Sequence, residues 1–84
     1  GSYLIDCSVH LREINRQLQW KLPTDGPKTL NGLLLEHLEF IPESGTTLKI
    51  DDYLVEVTQV SENSIKMARI KLLEESTESI PAEI

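Results

Sequence analysis

A leucine-rich segment between Thr29 and Pro42 carries the strongest structural signal in this sequence. Its apolar residues recur at intervals of three and four, which predicts a helix with one buried face: Leu30, Leu33, Leu34, Leu38 and Ile41. Thr29 has the side chain of a typical N-cap, and Pro42 and Gly45 are expected to stop the helix. Gly32 costs the helix about 1 kcal/mol relative to alanine. We therefore expect another stretch of backbone to approach the helix closely at this residue.

The flanking sequence predicts one strand and one helix before this segment. Tyr3-Leu4-Ile5 is typical of a short strand, and helical spacing of apolar residues predicts a helix from Leu11 to near Trp20. Residues 22–27 contain two prolines and a glycine, which predicts an irregular connector. The C-terminal half alternates between apolar and polar residues, which predicts a three-strand meander with a turn at Asp51-Asp52.

The last strand, within Ser64–Leu72, has an irregular alternation. Ile65 and Met67 fall on one parity, whereas Ala68, Ile70 and Leu72 fall on the other. Either a bulge interrupts the strand or both of its faces are partly covered. In both cases the order β-α-α-β-β-β predicts an α+β fold, with a mainly antiparallel sheet and two helices on one face.

The length and the charge distribution predict one domain followed by a tail. A chain of 84 residues provides enough apolar material for one small core. Four of its acidic residues lie in the last eleven positions, where there is no basic residue: Glu74, Glu75, Glu78 and Glu83. We therefore expect a domain over residues 1–73 and an acidic, flexible tail over residues 74–84. The net charge of −6 argues against nucleic acid as a partner.

Apolar runs and cysteine content bear on the cellular setting. The longest purely apolar run is Leu33-Leu34-Leu35, whereas a membrane-spanning helix needs about 20 residues. We therefore expect that this fragment does not itself span a membrane. The single cysteine, Cys7, has no internal disulfide partner, which indicates a reducing compartment or a piece of a larger protein.

Residues with catalytic or metal-binding chemistry are few. Cys7 and His10 lie three positions apart, but a zinc site normally needs three or four ligands. His37 is interpreted as an ordinary residue of the second helix, and Asp51-Asp52 as a turn. The four glycines do not form a phosphate-binding loop. We expect no catalytic residue, no metal site and no enzymatic activity.

Aromatic and basic residues leave two further alternatives. Trp20 and Phe40 could form a ligand platform, but aromatic residues near helix ends more often close the edge of a core. Five basic residues fall on the first helix and the last strand: Arg12, Arg16, Lys66, Arg69 and Lys71. They would form a modest basic face if these elements are neighbours, but a solvated surface with scattered ion pairs is the default interpretation.

The body of the chain, from Ser2 to about Leu72, resembles the CorC/HlyC transporter-associated domain. The resemblance is most specific in the segment Thr29–Gly45, which is similar to the family signature Thr-Leu-x-Gly-Leu-hydrophobic-Leu-Glu followed by Ile-Pro-x-x-Gly. It extends to Tyr3-Leu4-Ile5-Asp6, Leu11-Arg12-Glu13-Ile14-Asn15, Leu22-Pro23, Ile50-Asp51-Asp52-Tyr53, Val55-Glu56-Val57 and Ile65-Lys66. We expect the signature residues to be structural: Thr29, Leu30, Gly32, Leu33, Pro42 and Gly45.

The chain departs from the family pattern at five positions. Asp52 and Asn63 replace the glycines that are usual at two turns, so both are expected to adopt strained or left-handed backbone angles. His10 stands where a serine or threonine usually caps the first helix, and Thr46 stands where the family commonly has aspartate. Pro27 replaces a frequent aromatic residue, so no ligand contact is assigned there.

The resemblance implies a regulatory or interaction domain that accompanies the CBS domains and transmembrane region of a larger bacterial protein. Such proteins are of the magnesium and cobalt efflux type or are hemolysin-like. The expected location is the cytoplasmic face of the inner membrane, and a homodimer is a further expectation. The fold is also similar to the second subdomain of flavoenzymes of the vanillyl-alcohol-oxidase type. No cofactor is expected, and binding of FAD or an adenine nucleotide is an alternative that rests on this fold analogy alone.

Overall fold

The structure, a computed structural model, describes residues 2–73, and these residues form two helices and four strands. In chain order they are β1 (Ser2–Asp6), α1 (Leu11–Leu18), α2 (Leu30–Leu38), β2 (Thr47–Ile50), β3 (Tyr53–Val60) and β4 (Ile65–Leu72). The predicted order β-α-α-β-β-β is confirmed. The acidic tail predicted over residues 74–84 lies outside the described residues.

The four strands form one sheet in the order β1-β4-β3-β2, and every neighbouring pair is antiparallel. The N-terminal strand therefore lies beside the C-terminal one and forms one edge of the sheet. Neither helix in residues 2–73 has the length and apolar character of a membrane-spanning segment.

One hydrophobic cluster holds the fold together, and it combines both helices with a single face of the sheet. Its fully buried members include Leu11, Leu30, Leu33, Leu34, Val55, Val57, Ile65 and Ile70. Burial of each such side chain contributes about 1.5–3 kcal/mol relative to exposure. The two helices thus cover the same side of the sheet, as the sequence predicts, and within residues 2–73 no helix lies on the opposite side.

Helix α2 ends earlier than its apolar pattern predicts. Glu39 adopts a left-handed backbone with φ of 66°, and its N–H donates to the carbonyl oxygen of Leu35 at 2.6 Å. Ile41, expected on the buried face of the helix, is 38% exposed and lies outside it. Ile41 itself is kept out of the helix by Pro42, because the residue before a proline disfavours helical backbone angles.

The irregular alternation of β4 comes from a β-bulge, which is the first of the two alternatives that the sequence left open. The pairing of β3 with β4 shifts register between Val57 and Val60. Ile65 and Ala68, three positions apart on β4, are therefore both buried, whereas Met67 is partly exposed. A regular strand would place these two residues on opposite faces.

The turns use other residues for left-handed angles than the sequence predicts. Positive φ occurs at Asp51 (52°) and at Gln19 (58°), which closes α1, but not at Asp52 or Asn63. The expectation of left-handed angles at Asp52 and Asn63 is wrong. The β2–β3 turn requires this conformation one residue earlier, at Asp51, where an aspartate tolerates it.

Candidate functional site

The start of α2 joins three parts of the fold, and four signature residues lie there. The Thr29 hydroxyl oxygen accepts a hydrogen bond from the N–H of Gly32 at 3.2 Å, which confirms the predicted N-cap. Leu30 and Leu33 are 0% and 1% exposed and enter the core. The N–H of Leu30 also donates to the carbonyl oxygen of Val9 at 3.2 Å, so the loop before α1 is tied to the start of α2.

Gly32 allows a close approach, but the neighbour is a side chain rather than the expected backbone. A β-carbon at this position would lie 3.0 Å from Cβ of Pro27 and 3.5 Å from Oγ1 of Thr29. The first distance is shorter than ordinary van der Waals contact between carbon atoms, which is about 3.5–4.0 Å. Pro27, which departs from the family pattern, thus packs directly against the glycine of the signature.

Two asparagine side chains that the sequence analysis did not single out connect elements across the fold. Oδ1 of Asn31 accepts from the N–H of Ile65 at 2.8 Å, which fixes α2 to the beginning of β4. The Asn15 amide pairs with both backbone groups of Leu22, at 2.8 and 3.0 Å. An asparagine inside a predicted helix is a weak signal of such a role, since this residue readily bonds backbone groups.

Pro42 and Gly45 lie in the loop that leads from α2 to β2. Pro42 is buried, and Gly45 has φ of 96°, a conformation that residues with a β-carbon rarely adopt. The N–H of Gly45 donates to the carbonyl oxygen of Val57 at 2.7 Å and prolongs the pairing of β2 with β3. These contacts support a structural role for both residues.

The nucleophilic and metal-ligating residues do not converge. Cys7 is fully buried, and burial together with the nearby Asp6 charge raises the pKa of its thiol to about 12. His10 is exposed and caps α1 without a side-chain hydrogen bond, and His37 is an exposed helix residue whose Nδ1 donates to the Leu33 carbonyl oxygen. Within residues 2–73, no three His, Cys, Asp or Glu side chains lie close enough together to hold a metal ion.

The carboxylate of Asp6 is engaged locally. It accepts hydrogen bonds from the N–H of Ser8 at 2.8 Å and from its hydroxyl at 2.7 Å. These two bonds hold the pKa of Asp6 below its usual value. The carboxylate lines a surface depression of about 350 Å³ whose other members include Asn31 and Lys66.

The two aromatic residues considered as a ligand platform have different environments. Trp20 is buried, with its ring centroid 5.6 Å from that of Tyr3 and 5.0 Å from that of Tyr53. The Tyr53 hydroxyl accepts from the N–H of Lys21 at 2.7 Å, which completes this edge of the core. The core interpretation is confirmed for Trp20, but it is wrong for Phe40, which lies after the early end of α2 and is 63% exposed.

The side of the sheet away from the two described helices carries an unusual combination of side chains. We call it the open face and define it by Leu4, Lys49, Leu54, Glu56, Arg69 and Lys71, which alternate along the strands with residues on the side that the helices cover. Leu4 and Leu54 are 57% and 39% exposed. Leu54 pairs with Lys49 on one side and with Lys71 on the other.

The open face is basic although the whole chain is acidic. Arg69 forms an exposed ion pair with Glu56 at 3.3 Å. Among the described residues, Lys49 and Lys71 form no ion pair. The sequence makes a shared basic face depend on α1 and the last strand being neighbours, and this condition is not met, so the default of a solvated surface with exposed ion pairs holds for these residues. The basic residues of α1 belong to the helical layer, and Lys49 takes their place.

Known proteins similar to this chain provide a family context. Residues 1–74 match the CorC_HlyC family model, described as a transporter associated domain. The chain is 46% identical over 70 residues to a UPF0053 protein of Haemophilus influenzae and 39% identical over 80 residues to the UPF0053 inner membrane protein YfjD of Escherichia coli. It covers 83% and 95% of its own length in these matches, but only 17% and 19% of theirs.

Solved structures share the whole architecture. A functionally unknown conserved protein from Haemophilus influenzae superposes with a TM-score of 0.82 at 45% identity, over 87% of this chain and 90% of that one. The transporter associated domain of a CBS domain protein from Porphyromonas gingivalis superposes with a TM-score of 0.76 at 28% identity, over 88% and 91%. Domains of this size are therefore found as separate structural units.

Proposed function

The chain belongs to the CorC/HlyC family of transporter associated domains, and on this premise we propose that it is a non-enzymatic regulatory and interaction domain of a bacterial membrane protein. The parent protein would be of the magnesium and cobalt efflux type or hemolysin-like. The domain would act at the cytoplasmic face of the inner membrane through contacts with CBS domains or with the transmembrane region. The similarity to an inner membrane protein supports a membrane-bound parent.

The open face is the observation that carries this proposal. A domain that works by contact needs an exposed surface with apolar side chains for affinity and charged ones for specificity. Leu4 and Leu54 supply the apolar part, and Lys49, Arg69 and Lys71 supply the charge. The signature residues, in contrast, are occupied in capping, packing and turn formation.

Regulation requires that the domain contacts two states of the transporter with different free energies, since equal contacts shift no population. We expect deletion of residues 1–84 from the parent protein to change ion efflux or its regulation in membrane vesicles. Unchanged efflux, regulation and assembly after this deletion would refute the proposal.

A point substitution separates the surface from the fold. Leu54→Ser on the open face is expected to alter regulation without unfolding the domain, because Leu54 is not a core residue. Gln17→Ser, at an exposed position of α1, is the matched control and should leave regulation unchanged. Equal effects of the two substitutions would contradict a specific role for the open face.

The alternative function, a flavin-binding or adenine-nucleotide-binding module, stays a prediction from fold analogy. Titration of the separate domain with FAD, FMN and ATP tests it, with Trp20 fluorescence and calorimetry as the measurements. Saturable binding at submillimolar ligand would replace the interaction proposal by this alternative. We expect no saturable signal.

A further inference from the structure

We propose that a depression between the start of α1 and the connector before α2 binds an oxyanion of the phosphate class. Its volume is about 380 Å³, and within residues 2–73 it is lined by His10, Arg12, Thr24 and Lys28. We call this group the basic pocket. The open face, which carries the proposed function, contributes no residue to it, so the two proposals stand or fall separately.

Backbone contacts hold the parts of the basic pocket together. The N–H of Leu11 donates to the carbonyl oxygen of Lys28 at 2.8 Å. His10 also forms an isolated antiparallel bridge with Thr29. Lys28 is therefore fixed beside the start of α1, although all of α1 and the connector lie between it and His10 in the sequence. A ligand would meet side chains whose backbone is already in place, which lowers the ordering cost of binding.

The side chains of the basic pocket combine the donors that proteins use for phosphate groups. The Arg12 guanidinium offers a fork of N–H groups that matches two phosphate oxygens, and the Lys28 ammonium adds a compact positive charge. The His10 imidazole and the Thr24 hydroxyl can each donate a further hydrogen bond. Among residues 2–73, neither Arg12 nor Lys28 forms an ion pair, so both charges can serve a ligand.

Acidic side chains do not offset these charges inside the basic pocket. No aspartate or glutamate of residues 2–73 lines it. The nearby carboxylate of Glu13 already accepts hydrogen bonds from Arg16 and Gln17, and Asp25, next to Thr24, is exposed to solvent. The net charge of −6 opposes binding at long range, but charges farther away than about 8 Å are largely screened at physiological salt.

His10 connects the basic pocket with a departure from the family pattern. A serine or threonine at this position would cap α1, whereas His10 makes no side-chain cap hydrogen bond. Its exposed imidazole lines the basic pocket instead. This position therefore lacks a stabilising cap and gains a surface donor, and such a break of a local rule is typical of a functional site.

NMR titration of the ¹⁵N-labelled 84-residue chain with inorganic phosphate and with pyrophosphate tests this proposal. With NaCl holding the ionic strength at about 0.15 M, the amide signals of the four pocket residues should shift along one saturation curve. We expect a dissociation constant in about the millimolar range, because exposed ion pairs are individually weak. A nucleotide at submillimolar concentration would leave a site of this affinity largely empty. Shifts that do not saturate would overturn the proposal.

Two charge variants distinguish the basic pocket from general attraction. Arg12→Gln with Lys28→Gln should raise the dissociation constant for phosphate at least about tenfold, because two charge-assisted contacts are lost. Lys21→Gln with Lys66→Gln removes the same charge at exposed positions outside the pocket and should leave the constant unchanged. Equal weakening by the two variants would refute a specific site.

A substitution of His10 separates binding from folding. Serine is a favoured cap, so His10→Ser should keep or raise Tm, while the dissociation constant for phosphate rises about 2- to 10-fold with the loss of one hydrogen bond. A merely structural role of His10 would lower Tm instead. Unchanged phosphate binding, or a loss of binding that accompanies a fall in Tm, would contradict the role of His10 as a ligand contact.

The phosphate group could belong to a free ion or to a lipid headgroup. Sedimentation with phosphatidylglycerol vesicles, compared with phosphatidylcholine vesicles, distinguishes these sources. We expect no sedimentation, because the net charge of −6 repels an anionic surface, and this result together with saturable binding of free phosphate assigns the pocket to a small anion. Sedimentation that Arg12→Gln with Lys28→Gln abolishes would assign it to a headgroup. Binding of neither source would overturn the proposal.

Discussion

Substitution of Gly32 by alanine tests the tightest contact of the signature. Alanine is favoured over glycine within a helix by about 1 kcal/mol. The added β-carbon, however, would lie 3.0 Å from Cβ of Pro27, and forcing extra atoms into a packed site typically costs about 1–3 kcal/mol. We therefore expect Gly32→Ala to lower the free energy of unfolding by about 1 kcal/mol, which in a domain of this size lowers Tm by about 4–8 °C.

The gain in helix propensity and the cost of the close contact can be separated by removing the β-carbon of residue 27. In a Pro27→Gly background there is no β-carbon at position 27, so the contact disappears and the helix propensity alone decides the result. Gly32→Ala should then raise the free energy of unfolding by about 1 kcal/mol relative to Pro27→Gly. The coupling between the two positions would be about 2 kcal/mol, well above the error of additivity for independent sites.

Urea unfolding followed by Trp20 fluorescence measures all four proteins of this cycle. Trp20 is the single tryptophan and is buried against Tyr53, so its emission reports loss of the core. Gly26→Ala is the matched control, because its β-carbon would meet only the Glu36 carboxylate oxygens at 3.8 Å. A stabilising Gly32→Ala in the presence of Pro27, or the same effect in both backgrounds, would refute the packing argument.

Further predictions concern the core, a turn and two ionisable groups. Leu34→Ala removes a fully buried side chain and should cost about 2–5 kcal/mol in urea unfolding, whereas Leu54→Ala on the open face should cost much less. Gly45→Ala should destabilise the fold although the space there is open, because φ of 96° strains any residue with a β-carbon; a stability equal to that of the parent sequence would contradict this. Burial raises the pKa of the Cys7 thiol from 9.0 to about 12. The stability that the neutral thiol contributes is therefore complete below pH 9, and the free energy of unfolding should fall by about 1.4 kcal/mol per pH unit between pH 9 and 12. Cys7→Ala should remove this slope. Hydrogen bonds from Ser8 lower the pKa of Asp6. The stability that the Asp6 carboxylate contributes is therefore present above its usual pKa and is lost as the pH falls through the lowered pKa. Asp6→Asn should weaken the dependence of Tm on acid pH.

Periodicity predicts which segments become helices and strands, but it does not set their ends. The spacing of Leu30, Leu33 and Leu34 correctly predicts the buried face of α2, because a helix must turn that face toward the core. The same spacing wrongly includes Ile41, since the helix is closed by a left-handed residue at Glu39. A glutamate at that position has no strong preference for this conformation. The exposure of Phe40 follows directly from the early end of the helix.

Among the signature residues too, some roles follow from the local sequence and others depend on the complete fold. The N-cap role of Thr29 follows from local chemistry, since its hydroxyl can reach only the first amides of the helix. The contact between Gly32 and Pro27 depends on the path of the connector, and no local pattern encodes that path. The hydrogen bond from Ile65 to Asn31 spans 34 positions and needs the complete fold to be recognised.

The open face could have been identified from strand alternation alone. Lys49 precedes buried Ile50, and Leu54 separates buried Tyr53 from buried Val55. A register slip of one residue would bury the lysine and expose the core residues, so the positions that lie on the open face are fixed as firmly as those that lie in the core. Alternation requires only that these outward positions tolerate water, and serine or threonine would satisfy it. Lysines around an exposed leucine are therefore not needed for folding, and this excess over what the fold requires is the physical reason for testing the open face as the contact surface proposed above.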